Sequence, residues 1–167
     1  YDEHDRPNIM NVAWGGVCCG RPPCLAISLR KATYTYDNIM RHKAFTVSIP
    51  AVTQVSEADY VGIYSGRDED KFDELGLTPV KSELVHAPYV GEFPLVIECR
   101  VLHVLEIGLH TQFVGEILDV KADESALGED GTLNLERLQP FSYNPSDRGY
   151  YRVGKFLARA FTVGRKH

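Results

Sequence analysis

No stretch of this chain approaches the roughly eighteen consecutive apolar residues that a membrane-spanning helix needs, so none is expected. A basic excess is missing too. The 18 Lys and Arg stand against 23 Asp and Glu, a net charge of −5 with a pI near 5.7, and that balance argues against a nucleic-acid surface. There is no Gly-x-Gly-x-x-Gly, so a nicotinamide cofactor would have no dinucleotide-binding fold of its own here. Cysteine is scarce: Cys18, Cys19 and Cys24 cluster, and Cys99 stands apart. The cluster has neither a Cys-x-x-Cys pair nor a histidine at zinc-finger spacing, so reduced thiols in a cytoplasmic protein are expected, with no metal site. No basic-then-apolar leader pattern opens the chain. Repeats, low-complexity tracts and dividing linkers are absent as well. With 167 residues, 44% of them apolar, a single domain over 1–167 with its own core is the expected organisation.

What is present is mostly strand-like. Residues 8–18 and 24–30 read as two strands, followed by a helix from Thr35 to about Lys43. Ala44-Phe45-Thr46-Val47-Ser48-Ile49 alternates apolar and polar and stops at Pro50, the pattern of a half-buried strand. Residues 53–64 read as a helix, and 67–75 as a second that ends at Gly76. The three prolines in 77–94 suggest a long irregular loop. Residues 95–107 and 111–122 are the clearest β signals, rich in Val, Ile and Leu, joined by a tight turn at Gly108-Leu109-His110. Strands with short helices inserted, and no regular βαβ alternation, predict a mainly β, antiparallel barrel.

One region points to a ligand. The apolar run Leu25-Ala26-Ile27-Ser28-Leu29 passes through Arg30 and Lys31 into Thr33-Tyr34-Thr35, which can open a helix at a threonine cap. A strand that hands over to a helix N-terminus beside an arginine and hydroxyls can hold a phosphate: the free N–H groups, the helix dipole and a guanidinium all favour an anion there. Just upstream, Asn8 to Trp14 ends in the only tryptophan, a flat apolar surface with one donor.

These residues carry a resemblance. Asn8-Ile9-Met10 with Trp14, then Pro22-Pro23, Ser28-Leu29-Arg30 and Thr33-Tyr34-Thr35-Tyr36, resembles the flavin reductase-like family of FMN-binding split-barrel proteins, and within it the flavoredoxin-type members. The likeness continues through Ser65-Gly66-Arg67-Asp68, Lys71-Phe72, Gly76-Leu77-Thr78-Pro79, Gly108-Leu109-His110 and Phe113-Val114-Gly115-Glu116-Ile117. It ends at Tyr150-Tyr151-Arg152 and so covers nearly the whole chain.

The resemblance implies a Greek-key split β-barrel with short inserted helices, a homodimer with FMN at the subunit interface, and electron transfer with NAD(P)H or a partner protein. The residues it implies for the cofactor are Asn8, the backbone around Met10, Asn11, Val12 and Ala13, then Trp14, Ser28, Leu29, Arg30, Thr33, Thr35, Lys71, His110 and Tyr143, with Phe141 as an alternative to the last. No catalytic acid or base is expected, because hydride passes directly to a flavin ring. Where related flavin reductases have Gly-Asp-His, this chain has Leu109 before His110, which leaves His110 as a contact residue. Three other readings stay open: a tightly loaded carrier without nicotinamide activity, a reductase that releases reduced flavin to a monooxygenase, and a split-barrel module for haem or pyridoxal phosphate. His103 and His110 would be the axial candidates for haem.

Overall fold

The computed structural model describes residues 1–165. Its centre is β2 (Pro23–Arg30), where Cys24, Leu25, Ala26, Ile27 and Leu29 are all buried. Burial on both faces requires a covered strand with a neighbour on each edge. β1 (Gly15–Gly20) supplies one neighbour and β7 (His110–Ala122) the other. β6 (Leu95–Ile107) then pairs with β7, and β3 (Ala44–Ile49) with β6, giving an antiparallel sheet in the order β1-β2-β7-β6-β3. The mainly β, antiparallel architecture with short inserted helices is therefore as expected.

Between β2 and β3 lies α1 (Tyr34–His42), whose Ile39 and Tyr36 pack on the inner face of the sheet. There they meet Leu25, Ile27, Leu29, Phe45 and Phe113, and the Tyr36 ring stands edge-on to Phe113 at 5.6 Å. α2 (Val55–Ile63) follows one turn of 3-10 helix. Next comes the short α3 (Lys71–Leu75), which starts four residues later than the sequence suggests. Asp70 sets that start by accepting the Asp73 N–H at 3.2 Å, and Gly76 ends the helix in the left-handed conformation. The β6–β7 turn uses Gly108 at positive φ, so that β7 begins at His110. Further on stand α4 (Leu135–Leu138) and a separate hairpin of β8 (Phe141–Asn144) and β9 (Gly149–Arg152). No helix among the described residues is long and apolar enough to cross a membrane.

Two expectations are corrected. Asn8–Trp14 does not form a strand: pairing begins only at Gly15, and the backbone of 7–13 makes no backbone–backbone hydrogen bond among the described residues. Alternation alone does not make a strand, because each N–H and C=O also needs a ladder partner. The segment 77–94 is not wholly irregular, since β4 (Pro79–Lys81) and β5 (Pro88–Val90) form a small hairpin. Its prolines are tolerated because the hairpin is a two-stranded sheet, all of whose strands are edges.

Phe113 is fully buried at the centre of the main cluster. Phe113→Ala should lower the unfolding free energy by about 3–5 kcal/mol, the scale of an emptied aromatic core site. A urea titration at constant m-value measures it.

Candidate functional site

β2 leaves the core at Arg30, where the chain must turn before α1 can begin. The Arg30 carbonyl anchors that turn by accepting the Thr33 N–H at 3.0 Å and the Thr33 hydroxyl at 2.8 Å. Thr33 occupies the N-cap position by backbone, yet its hydroxyl faces back to Arg30 rather than capping the helix. The N–H groups of Tyr34 and Thr35 at the start of α1 consequently take no backbone partner among the described residues. Arg30 is exposed, and its guanidinium has no ion-pair partner among the described residues. Nearby cations are engaged: Lys31 pairs with Glu106 at 2.6 Å, and Arg67 binds both the Ala32 carbonyl and the Asp37 carboxylate at 2.9 Å. Arg30 is thus the free cation beside a helix N-terminus.

The register brings further residues to the same place. Arg30 lies opposite His110, and Ser28 opposite Gln112, whose side-chain amide reaches the Ser28 hydroxyl at 3.5 Å. The Ser28 N–H donates to the Trp14 carbonyl at 2.8 Å, which fixes Trp14 beside β2. The indole is 53% exposed and stands edge-on to the His110 ring at 6.3 Å. Ser28, Arg30, Trp14 and His110, with Thr33 at the turn, therefore form one ledge in which a guanidinium without an ion-pair partner and hydroxyls lie beside the indole and the imidazole.

The remaining expected residues apart from Lys71 line a cavity of about 610 Å³. Asn8, Met10, Asn11, Val12, Ala13, Leu29, Thr35 and Tyr143 all line it, as does the buried Asn38, whose Nδ2 has no hydrogen-bond partner. Its floor is continuous with the core at Ile27, Ile39 and Phe45. Side chains hold the segment in place of a ladder. Asn8 donates to the Thr35 hydroxyl at 2.9 Å, and Asn11 donates to the Ala58 carbonyl at 3.1 Å. Gly62 and Gly66 make this docking possible, because a Cβ on either would overlap the Asn11 or Asn8 carboxamide. Tyr143 belongs to an aromatic group with Phe141 and Tyr150 at the cavity mouth. Burial and the hydrogen bond to Asp59 push the Tyr150 hydroxyl up to about 12.

Lys71, expected at the cofactor, joins neither the ledge nor the cavity lining. It is 4% exposed, and its ammonium donates to the carbonyls of Val61 and Tyr64 at 3.1 and 3.2 Å, closing the C-terminal end of α2. Burial pulls its pKa down to about 8. Sequence reasoning did not single out Gly62, Asn38 or Tyr150 for the site. Gly62 and Asn38 sit inside helices that read normally, and only the fold reveals what faces them.

Comparison with known proteins identifies the family of the fold. Residues 2–151 match the flavin reductase like domain. The flavoredoxin of Desulfovibrio vulgaris (Miyazaki F) is 56% identical over 99% of this chain and 88% of that chain, with a TM-score of 0.95. The flavoredoxin of Methanosarcina acetivorans is 30% identical over 95% of this chain and 83% of that one, with a TM-score of 0.89. A ferric-chelate reductase (NAD(P)H) of Archaeoglobus fulgidus is 27% identical over 64% of this chain and 62% of its own length. The chain spans about two thirds of the length of other curated relatives it matches, 66% and 67% in two cases.

The burial of Lys71 has a measurable consequence. Its folded pKa near 8 lies below the reference value of 10.5, so between these values the unfolded chain binds more protons and stability rises with pH. The charge is fully retained in both states below about pH 8, and there its burial costs most. The unfolding free energy of the wild type relative to Lys71→Met should therefore increase by about 1–3 kcal/mol between pH 8 and 10.5, as measured by denaturant titration.

Proposed function

The chain belongs to the flavin reductase-like domain family, and from that premise we propose that it binds FMN and works as a flavoredoxin-like electron-transfer protein, with NAD(P)H or a partner protein as the source or sink of electrons. The observation that carries the reading is the Arg30 guanidinium, without an ion-pair partner among the described residues, on the strand end that leads into α1, whose Tyr34 and Thr35 N–H groups have no backbone partner among those residues, together with the half-exposed Trp14 across β2. A dianion needs a cation, hydroxyls and helix N–H donors, and a flavin ring needs a flat apolar contact. Arg30 with Ser28 and Thr33 supplies the first, and Trp14 the second. The cavity suits a charged group less well, since its floor is the apolar core.

FMN, when bound, supplies a carrier that takes up and gives back two electrons and so needs no protein acid or base for that step. The residues of this chain have other work. Arg30, Ser28 and Thr33 hold the phosphate end. Trp14 and His110 orient the ring end. The 8–13 segment, pinned by Asn8 and Asn11, leads into Trp14, and its backbone N–H groups have no backbone partner among the described residues. A single anion site, with no second glycine loop for a pyrophosphate, favours FMN over FAD.

The protein is further read as a homodimer. Leu105 and Ile107 on β6 and Leu109 in the turn are each about half or more exposed, and they adjoin the His110 end of the ledge. Exposed apolar surface of this kind is commonly covered by a second copy about a two-fold axis.

Arg30→Ala should weaken FMN binding by about 1.5–3 kcal/mol, the scale of a lost charge-assisted hydrogen bond. A fluorescence titration with FMN measures this, and unchanged affinity would move the phosphate elsewhere. In sedimentation with flavin detection, dilution should release FMN and dissociate the dimer together, because ligand and subunit share one site. A flavin-loaded monomer at micromolar concentration would confine the site to one chain.

A further inference from the structure

Cys19 and Cys24 are separated by four residues in sequence, a spacing that matches no thiol motif, yet the β1–β2 hairpin sets them directly opposite each other. Gly20 and Pro23 flank the two-residue turn Arg21-Pro22, and Cys19 with Cys24 is the next rung. In an antiparallel ladder the rungs alternate between hydrogen-bonded and non-hydrogen-bonded pairs. Pro23 has no N–H to exchange with Gly20, so the Gly20–Pro23 rung is not a hydrogen-bonded pair and the Cys19–Cys24 rung is of the first kind, with Cα atoms about 5.5 Å apart and side chains on the same face. A disulfide spans Cα separations of about 4.4–6.8 Å, so the pair lies within reach. The adjacent Cys18 occupies a register shift between Val17 and Cys19, and its thiol is directed to the Cys24 carbonyl at 3.5 Å.

We propose that Cys19 and Cys24 form a reversible cross-strand disulfide, a thiol-redox site distinct from the flavin ledge. The two thiols have unequal access. Cys19 is exposed, whereas Cys24 is buried, and burial with its thiol neighbours raises its pKa. Cys19 is therefore the thiol that meets a low-molecular-weight disulfide first. Its thiolate attacks one sulfur of that disulfide, forms a mixed disulfide and releases one thiolate, which takes a proton from water. The Cys24 thiol then gives its proton to solvent and attacks the Cys19 sulfur, releasing the second small thiol. Two protein thiols are oxidised and one external disulfide is reduced to two thiols. Cys99 takes no part: it is fully buried, and burial pushes its thiol up to about 12.

The site is separate from the ligand ledge. Cys24 precedes Ser28 by four residues on β2, about 13 Å at the rise of an extended strand. It lies on the edge hairpin, which a covalent rung would hold closed where a bulge weakens the ladder.

The test uses the purified flavin-bound protein and oxidised glutathione. The wild type should lose two of its four free thiols, shed two hydrogen masses, retain no glutathione, and give a peptide map that links Cys19 to Cys24. Cys18→Ser should behave in the same way. Cys24→Ala should trap a glutathione adduct on Cys19. Because Cys24 is buried and its replacement can compromise folding, the exposed Cys19→Ser serves as the second variant, and it should form no intrachain disulfide. Retention of all four thiols by the wild type, a bond that maps to Cys18, or an intrachain disulfide in Cys19→Ser would overturn the proposal. FMN affinity is read in the same samples, so failure of the thiol pair and failure of the flavin reading are distinguishable.

Discussion

The register of β2 is the constraint on which the rest depends. Flanked by β1 and β7 and buried along most of its length, this strand cannot slip by one residue without turning Leu25, Ile27 and Leu29 away from Phe113 and Ile39. That fixed register does two things at opposite ends of one strand. At the C-terminal end it sets Arg30 opposite His110 and Ser28 beside Trp14, so that the ledge is assembled as the chain leaves the core. At the N-terminal end it sets Cys24 opposite Cys19. Two chemically different places are thus positioned by the same apolar packing.

Electrostatics then sorts the cations by what each one finds. Lys31 and Arg100 meet carboxylates across the sheet, Arg67 bridges to α1, and Lys71 closes α2 from within. Exposed pairs of this kind contribute little to stability, about 0–1 kcal/mol. They do remove competing cations from the surroundings of the α1 N-terminus. Arg30 is left exposed at that helix start, and an anion arriving there gains both the guanidinium and the helix N–H groups without first breaking an ion pair.

Much of this was legible beforehand, and the misses have physical reasons. Strands β2, β3, β6 and β7 and helix α1 follow from alternation, β-branched content and the helix-start signal at Thr33. Those cues are local, and the fold agrees with them. Asn8–Trp14 misled because its pattern is strand-like while its backbone has no ladder, and pairing is a non-local property that one segment cannot announce. Prolines hid the β4–β5 hairpin. Lys71 sat among charges that suggest solvent, yet α2 ends where its ammonium can reach two carbonyls. The ledge residues Ser28, Arg30, Thr33, Trp14 and His110 are brought together by the sheet, whereas the expected partners Asn8, Thr35 and Tyr143 face the cavity instead. The Cys19–Cys24 contact was invisible because hairpin register, rather than spacing, creates it.

The way the 8–13 segment is held bears on how the ledge would respond to a ligand. Its backbone lacks ladder bonds among the described residues, and its position rests on Asn8, Asn11 and the two glycines they lie against, together with Ile9 and Met10, which pack on buried clusters. A segment fixed by few side-chain bonds opens at lower free energy than the paired strands beside it. Trp14, at the end of this segment, is nevertheless tied to β2 through the Ser28 N–H. Trp14 is therefore held by the sheet, and the segment behind it by side-chain bonds and apolar packing instead of a ladder. A planar ligand stacked on the indole would be felt first in the 8–13 segment and only weakly in β2, whose burial already fixes it.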